Sequence, residues 1–386
     1  MDDADALAIV ERACAAGSGE AAPLDPALEA LRRDVVSGVT VRQIQRLWGG
    51  MGAVYSLVAQ TAGGGSAELV AKRVALPSGA LSFGDQRKKD SYACEACFYE
   101  SLAPELRRAG CGVPAGLLVE RRDDGSVTIV MSKLAGRSRR LGAAETATAV
   151  GWVARMHACT WGARADAAVA KGLQAQGCYW YLDTRPDEWE SMPERGWQGR
   201  LKHAAKALDR RLKHDPSQCC VHGDLKADNL CFDGQAVAMC DFQYCGKACP
   251  TKDLAYLLCC AADEGCSRQS SEKSATHHLA PVDCLVAERL VGCRYLAMYH
   301  TLLSEGLSSR GEPAPALESL RAALDLAYAD LCRWMVGWGL WGDTTELEVS
   351  ASRQRFLSVL SATASCQRVF FLATASQRHV FAAGAC

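Results

Sequence analysis

The sequence predicts an α+β fold in two lobes, a small antiparallel-sheet N-lobe followed by a mostly helical C-lobe. Three observations carry this. Short apolar runs of strand composition, punctuated by glycines and turn residues, recur between Val41 and Met131. From Ala143 onward the apolar spacing becomes helical. The chain has 386 residues, 49% of them apolar, which is enough for two lobes around a large core.

Taken in order, Asp2 to Cys14 and Pro26 to Val35 read as short helices on the outside of the first lobe, within an N-terminal extension spanning 1–40. Val41 to Ile44 is a strand leading into Trp48-Gly49-Gly50-Met51-Gly52-Ala53-Val54-Tyr55. Val54 to Gln60 and Glu68 to Val74 are two more strands, joined by a turn at Gly63 to Ser66. Gly50 and Gly52 either let backbone N–H groups approach phosphate oxygens or simply close a tight hairpin. Lys72, in Leu69-Val70-Ala71-Lys72, would reach those phosphates from the facing strand.

Gln86 to Leu106 reads as one helix, ended by Arg107-Arg108 and Gly110. Glu95 lies on its apolar side and is placed to pair with Lys72. Cys94 and Cys97 lack a second ligand pair for zinc and read as helix-face thiols. Leu117 to Glu120 and Val127 to Met131 form a hairpin around Asp123-Asp124-Gly125. Backbone groups from Met131 to Lys133 would meet the edge of an adenine, and the N-lobe, 41–135, closes there.

The chemistry is concentrated between Cys219 and Asp241. Cys219 to Val221 is a buried strand, and His222-Gly223 opens a loop carrying Asp224 to Asn229. Leu230 to Phe232, a turn at Asp233-Gly234, and Ala236 to Cys240 add two strands and deliver Asp241, so that one small sheet holds the set. An aspartate, an asparagine five residues on, and a second aspartate after a hairpin suit phosphoryl transfer. Asp224 would accept the proton of a substrate hydroxyl, while Asn229 and Asp241 would hold Mg²⁺.

The C-lobe, 136–345, begins with a helix, Val150 to Trp161, in which His157 reads as a structural group ahead of a catalytic one. Gly177 to Leu182, with Trp189, is aromatic-rich and either covers a substrate or packs at the surface. Too few residues follow Asp241 for a loop on which a polypeptide could lie, so the substrate should be small. Asp253 opens the next helix and is placed to brace the catalytic loop. Glu264 to Ala280 reads as a polar loop, and Val282 to Ser304 and Ala314 to Gly337 as long helices. Trp334, Trp338 and Trp341 share a helical spacing that suits a core face or the floor of a pocket. A last helix, Glu346 to Ser361, and a tail occupy 346–386.

Charge excludes some partners. With 43 Lys plus Arg against 44 Asp plus Glu, nothing draws the chain generally to nucleic acid or anionic membrane. Met1 to Glu20 lacks the features of a secretory leader, and no apolar run reaches the roughly 18–20 residues of a membrane span. A cytoplasmic setting follows as the expectation, with the 20 cysteines reduced.

Together, His222-Gly-Asp224-x4-Asn229, Asp241-Phe-Gln243, Asp253-Leu-Ala-Tyr-Leu-Leu258, Glu95-x-x-Phe98-Tyr99 and His157-Ala158-x-x-Trp161 resemble the ecdysteroid-kinase-like branch of the choline kinase and aminoglycoside phosphotransferase superfamily. The resemblance spans Val41 to Gly342. It implies a bilobal protein-kinase-like fold and the use of ATP with Mg²⁺ to phosphorylate an alcohol on a small molecule. By carry-over Asp224 is the base, Asn229 and Asp241 are metal ligands, and Lys72 with Glu95 holds the phosphates. Lys226 stands where it would steady the transferred phosphoryl group. A catalytically silent scaffold is the second reading, opposed by the intact Lys72, Asp224, Asn229 and Asp241. A protein kinase is the third, opposed by Gly223 and by the short segment after Asp241.

Overall fold

A computed structural model describes residues 1–16, 26–77, 79–138, 141–262 and 281–338. The N-lobe is built on one antiparallel sheet of order β1-β2-β3-β5-β4. Its strands are β1 (Val36–Arg46), β2 (Gly52–Thr61), β3 (Ser66–Val74), β4 (Gly116–Arg121) and β5 (Val127–Ser132). β1 begins at Val36 and not at Val41, because the helix before it stops at Arg33. The period-2 alternation sorts side chains to two faces. Leu57, Ala59, Leu69, Ala71 and Val130 face outward, where α1 (Asp3–Ala15) and α2 (Pro26–Arg33) cover them with Ala6, Ile9, Val10, Leu28 and Leu31. The opposite face buries Met51, Val74, Ile129 and Met131 against the rest of the core.

The helix expected over Gln86 to Leu106 is two. α3 (Phe83–Ser101) begins at the Ser82 cap, and α4 (Ala103–Arg108) restarts after Leu102. Pro104 sits in the first turn of α4, where its missing N–H costs no hydrogen bond, so the chain breaks there.

The C-lobe centres on α5 (Ala143–Cys159). It continues with α6 (Ala163–Lys171), α7 (Pro186–Glu190), α8 (Gly196–Lys213), α9 (Thr251–Cys260), α10 (Pro281–Ser308) and α11 (Leu317–Trp338). The single small sheet expected around the catalytic loop is two separate ribbons. β6 (Cys219–Val221) pairs with β9 (Gly246–Ala248), whereas β7 (Leu230–Asp233) pairs with β8 (Ala236–Met239) in a separate two-stranded ribbon. The expected last helix, Glu346 to Ser361, the polar loop at 264–280, Trp341 and the 346–386 segment lie outside the described residues.

One ion cluster holds the base of the C-lobe. Asp330 of α11 accepts from Lys252 of α9 at 2.9 Å and from Arg333 at 2.7 Å, and all three side chains are buried. Arg333 also donates to the Trp180 carbonyl at 2.8 Å, and the Lys252 ammonium lies 4.1 Å from the Trp180 ring centroid. Burial disfavours the Asp330 carboxylate, but the two cations outweigh it and hold the group below its ordinary range. Trp334 is buried in the core beside this cluster, whereas Trp338 is half exposed. Asp330→Ala strands two buried cations, so a loss of about 3–5 kcal/mol is expected, measured by urea unfolding against the native chain.

Candidate active site

Lys72 projects from the C-terminal half of β3, paired in register with Val54 of β2 and Ile129 of β5. Its ammonium is buried, 2.5 Å from Glu95 Oε2 on α3 and 3.3 Å from Asp241 Oδ1. Burial lowers its pKa, yet the carboxylates of Asp241 and Glu95 more than offset that and favour the charged form. Burial pushes Glu95 up to about 7, against the pull of Lys72.

Asp241 follows β8 in a left-handed conformation, φ +67°, which a non-glycine residue adopts at a cost of about 1–3 kcal/mol. Three contacts hold it. Its Oδ1 accepts from Lys72 and, at 2.6 Å, from Gln243 Nε2. Phe242, next in the chain, stacks on Phe98 of α3 with centroids 3.6 Å apart and planes 8° apart. The same helix therefore positions Glu95 and the backbone beside Asp241.

The loop aspartate, Asp224, is buried. Its Oδ2 accepts from Lys226 at 3.0 Å and from the Asn229 amide at 3.1 Å, and that amide also donates to the Asp224 carbonyl at 2.8 Å. Its Oδ1 is buried without a hydrogen-bond partner among the described residues. Burial raises the pKa of this carboxyl, with Lys226 opposing. The Cys240 N–H donates to the Asn229 carbonyl at 3.0 Å, so Asn229 and Asp241 stand together at the open end of the β7–β8 hairpin. The structure thus brings Lys72, Glu95, Asp224, Lys226, Asn229 and Asp241 into one cleft.

Asp253 braces this loop. Its Oδ2 accepts the His222 N–H at 2.7 Å, and its Oδ1 accepts the Gly223 N–H at 2.9 Å. His157 is fully buried between Asp253 Oδ2, at 3.1 Å, and the Tyr299 hydroxyl, at 2.8 Å, out of reach of the cleft. Gly223 has φ +86°, and a Cβ there would lie 2.5 Å from the Tyr244 carbonyl, so only glycine fits.

The remaining expected positions behave differently. Gly50 lies in the β1–β2 connection at φ +72° with open space where a Cβ would stand. Gly52 has φ +113°, and a Cβ would fall 2.0 Å from the Arg73 carbonyl, so sheet closure alone demands glycine there. Met131 is buried in β5 between Val70 and Gly116, and the Lys133 amine turns to Glu68 at 2.6 Å. Cys94 and Cys97 direct their thiols to the carbonyls of Cys245, at 3.1 Å, and Lys171, at 3.0 Å. No cluster of three or more metal-ligating His, Cys, Asp or Glu occurs among the described residues. Gln243 received no role from the sequence; its nearness to Asp241 was the signal.

A sheet-borne lysine buried against a helix-borne glutamate, facing a loop Asp–Asn pair and a second aspartate, defines the bilobal α+β fold of kinase-like phosphotransferases. The chain belongs to the phosphotransferase enzyme family, whose sequence profile matches residues 44–276. Membership implies a nucleotide as phosphoryl donor. The chain is also similar to the solved structure of a candidate fructosamine-3-kinase from Thermobifida fusca YX-ER1, with 17% identity, TM-score 0.47, and coverage of 84% of this chain and 95% of that one. A second is the amicoumacin kinase in complex with AMP-PNP, Ca²⁺ and Ami, with 16% identity, TM-score 0.42, and coverage of 83% and 89%. No curated protein sequence matches the chain. Among the described residues no helix is long and apolar enough to cross a membrane.

The raised Glu95 carboxyl sets a pH dependence. Its pKa moves from 4.5 to about 7 on folding, so the folded state takes up a proton in that window. Stability from this group is full below pH 4.5 and is lost as pH rises through 7. Between pH 5 and pH 8 the native chain should therefore lose stability relative to Glu95→Gln, which paired thermal melts measure.

Proposed function

We propose that the protein transfers the γ-phosphoryl group of ATP, with Mg²⁺, to a hydroxyl of a small molecule in the cytoplasm. The observation that carries this reading is the unpartnered Oδ1 of buried Asp224. A carboxylate oxygen taken out of water without a donor is costly, and an acceptor hydroxyl would supply the missing hydrogen bond. In this reading Asp224 orients the hydroxyl and takes its proton as the oxygen attacks the γ-phosphorus and the bond to the ADP oxygen breaks. Lys226 steadies the transferred group. Lys72, held by Glu95, grips the phosphates beneath the Gly50–Gly52 connection, and the backbone at Met131 to Lys133 lies along the base.

The donor set suits Mg²⁺. Asp241 has committed Oδ1 to Lys72 and Gln243, which leaves Oδ2, and Asn229 has committed its amide nitrogen to Asp224, which leaves its oxygen. One carboxylate and one amide oxygen are what an ion that keeps water and phosphate ligands requires. When bound, the ion would neutralise charge on the phosphates. We assign residues 41–135 to nucleotide binding and 136–345 to the catalytic loop and acceptor. On His222-Gly-Asp224 and Asp253-Leu-Ala-Tyr we place the chain with the ecdysteroid-kinase-like branch of its superfamily.

The test uses γ-labelled ATP, Mg²⁺ and the metabolite and macromolecule fractions of a cell extract. Label is expected in a metabolite with the native protein and about 10²–10⁴-fold less with Asp224→Ala, nucleotide binding being kept. Label in protein, or none in any metabolite, would overturn the reading. Lys226→Ala should lower turnover at saturating ATP; full turnover would remove its role.

A further inference from the structure

The segment that follows Asp241 is gripped by one face of α3. Ser91, Cys94 and Phe98 stand on successive turns of that face. Phe98 stacks on Phe242, the Cys94 thiol donates to the Cys245 carbonyl at 3.1 Å, and the Ser91 hydroxyl reaches Gln243 Oε1 at 3.1 Å. Ser91 is buried, and its hydroxyl is itself held 2.7 Å from the Lys88 carbonyl. With its oxygen turned to Ser91, the Gln243 amide presents its nitrogen to Asp241 Oδ1 at 2.6 Å. Glutamine suits this place because one amide offers an acceptor to the helix and a donor to the aspartate.

The two oxygens of Asp241 are therefore unlike. Oδ1 is taken by Gln243 and, at 3.3 Å, by Lys72. Of these donors the amide is the nearer, and the Lys72 ammonium has a nearer partner of its own in Glu95, at 2.5 Å. An ion could span both oxygens of this carboxylate only by displacing the Gln243 amide. That constraint separates two common cations. Mg²⁺ is small, takes octahedral ligands and keeps several waters, so one oxygen per carboxylate serves it, whereas Ca²⁺ gathers about six to eight oxygens and often takes both from one carboxylate.

We propose that Gln243 is a positioning residue that sets the ion preference of the site: by holding Oδ1 it confines Asp241 to one-oxygen coordination and favours Mg²⁺ over Ca²⁺. This rests on the phosphotransferase reading, which assigns the ion to Asp241 and Asn229. Asn229 has its amide nitrogen committed to Asp224 and likewise offers one oxygen. The chain then contributes two oxygens, and water and phosphate complete a six-ligand shell more readily than a larger one.

The full chain is titrated by calorimetry with a non-hydrolysable ATP analogue, at Mg²⁺ or Ca²⁺ concentrations that saturate the analogue. The native chain is expected to bind the Mg²⁺ complex more tightly. Gln243→Met, which removes the donor and frees Oδ1, should shift the Mg²⁺-to-Ca²⁺ affinity ratio toward Ca²⁺ at least about tenfold, about 1.4 kcal/mol. Gln243→Glu keeps the shape of the side chain and puts a second anionic oxygen beside Asp241, so it should shift the ratio in the same direction. Thermal melts of the metal-free variants close to that of the native chain show that they fold. A native preference for Ca²⁺, an unchanged ratio in either folded variant, or an equal loss of both complexes, which is what a merely structural role would produce, each overturns the proposal. A native chain that binds the analogue while the ratio stays fixed in the variants keeps the phosphotransferase reading and loses only the role of Gln243, whereas a native chain that binds neither complex overturns both.

Discussion

The structure depends on one buried charge, the Lys72 ammonium. An amine on the third strand of a sheet is an expensive thing to bury, and it persists only because carboxylates from two other parts of the chain converge on it. Glu95 arrives from α3 and Asp241 from the C-lobe, at 2.5 and 3.3 Å. Removing either carboxylate would leave the others mismatched, so sheet, helix and catalytic loop constrain each other's positions. The left-handed Asp241 backbone fits this account. A strained residue survives where its surroundings over-determine it, and here Lys72, Gln243 and the Phe98–Phe242 stack all do so.

A second centre does for the loop what Lys72 does for the cleft. Asp253 spends both oxygens on backbone N–H groups of His222 and Gly223 and shares Oδ2 with His157. The loop then closes on itself. The Asp224 N–H donates to His222 Nδ1 at 3.3 Å, and His222 Nε2 lies 3.0 Å from the Cys240 carbonyl. The imidazole ties the Asp224 N–H to the carbonyl of Cys240, the residue before Asp241. Asp224 and Asp241 are thereby fixed relative to each other by backbone and imidazole contacts, with no direct contact between the two like charges.

Much of this was legible in the residues, and the parts that were not share a physical cause. Strands β2 and β3, the β7–β8 hairpin and the Asp224 loop carry local signals: alternation, a glycine turn, an aspartate at a fixed spacing. The bracing role of Asp253 was readable from its place at a helix start. What escaped was non-local or polar. α8, Gly196–Lys213, is cationic along much of its length, and its apolar positions have meaning only against α11. β9 is three residues long and becomes a strand only because β6 lies beside it. The break before α4 was signalled by Pro104, but the cationic last turn and Gly110 made a single helix look complete. Gly52 illustrates the converse: the residue was noticed for its possible approach to phosphate, whereas its contact with the Arg73 carbonyl is a sufficient reason for glycine.

The hairpin that carries Asn229 and Asp241 at its base is held by the N-lobe and its connector as well as by the C-lobe. The Met239 N–H donates to the Gly112 carbonyl at 3.0 Å, and Arg137 and Phe232 exchange two backbone bonds at 3.1 and 3.2 Å. Both approaches require glycine, since a Cβ at Gly112 would lie 2.5 Å from the Val237 carbonyl and one at Gly136 2.0 Å from that of Phe232. Backbone bonds of this kind resist sliding more than side-chain contacts do, because each has a fixed register and would leave two buried polar groups unpaired when broken. Movement of one lobe against the other must therefore pivot about the β7–β8 hairpin and not carry it away. The cleft can then widen at the mouth while the distance between Lys72 and Asp241 at its base changes little.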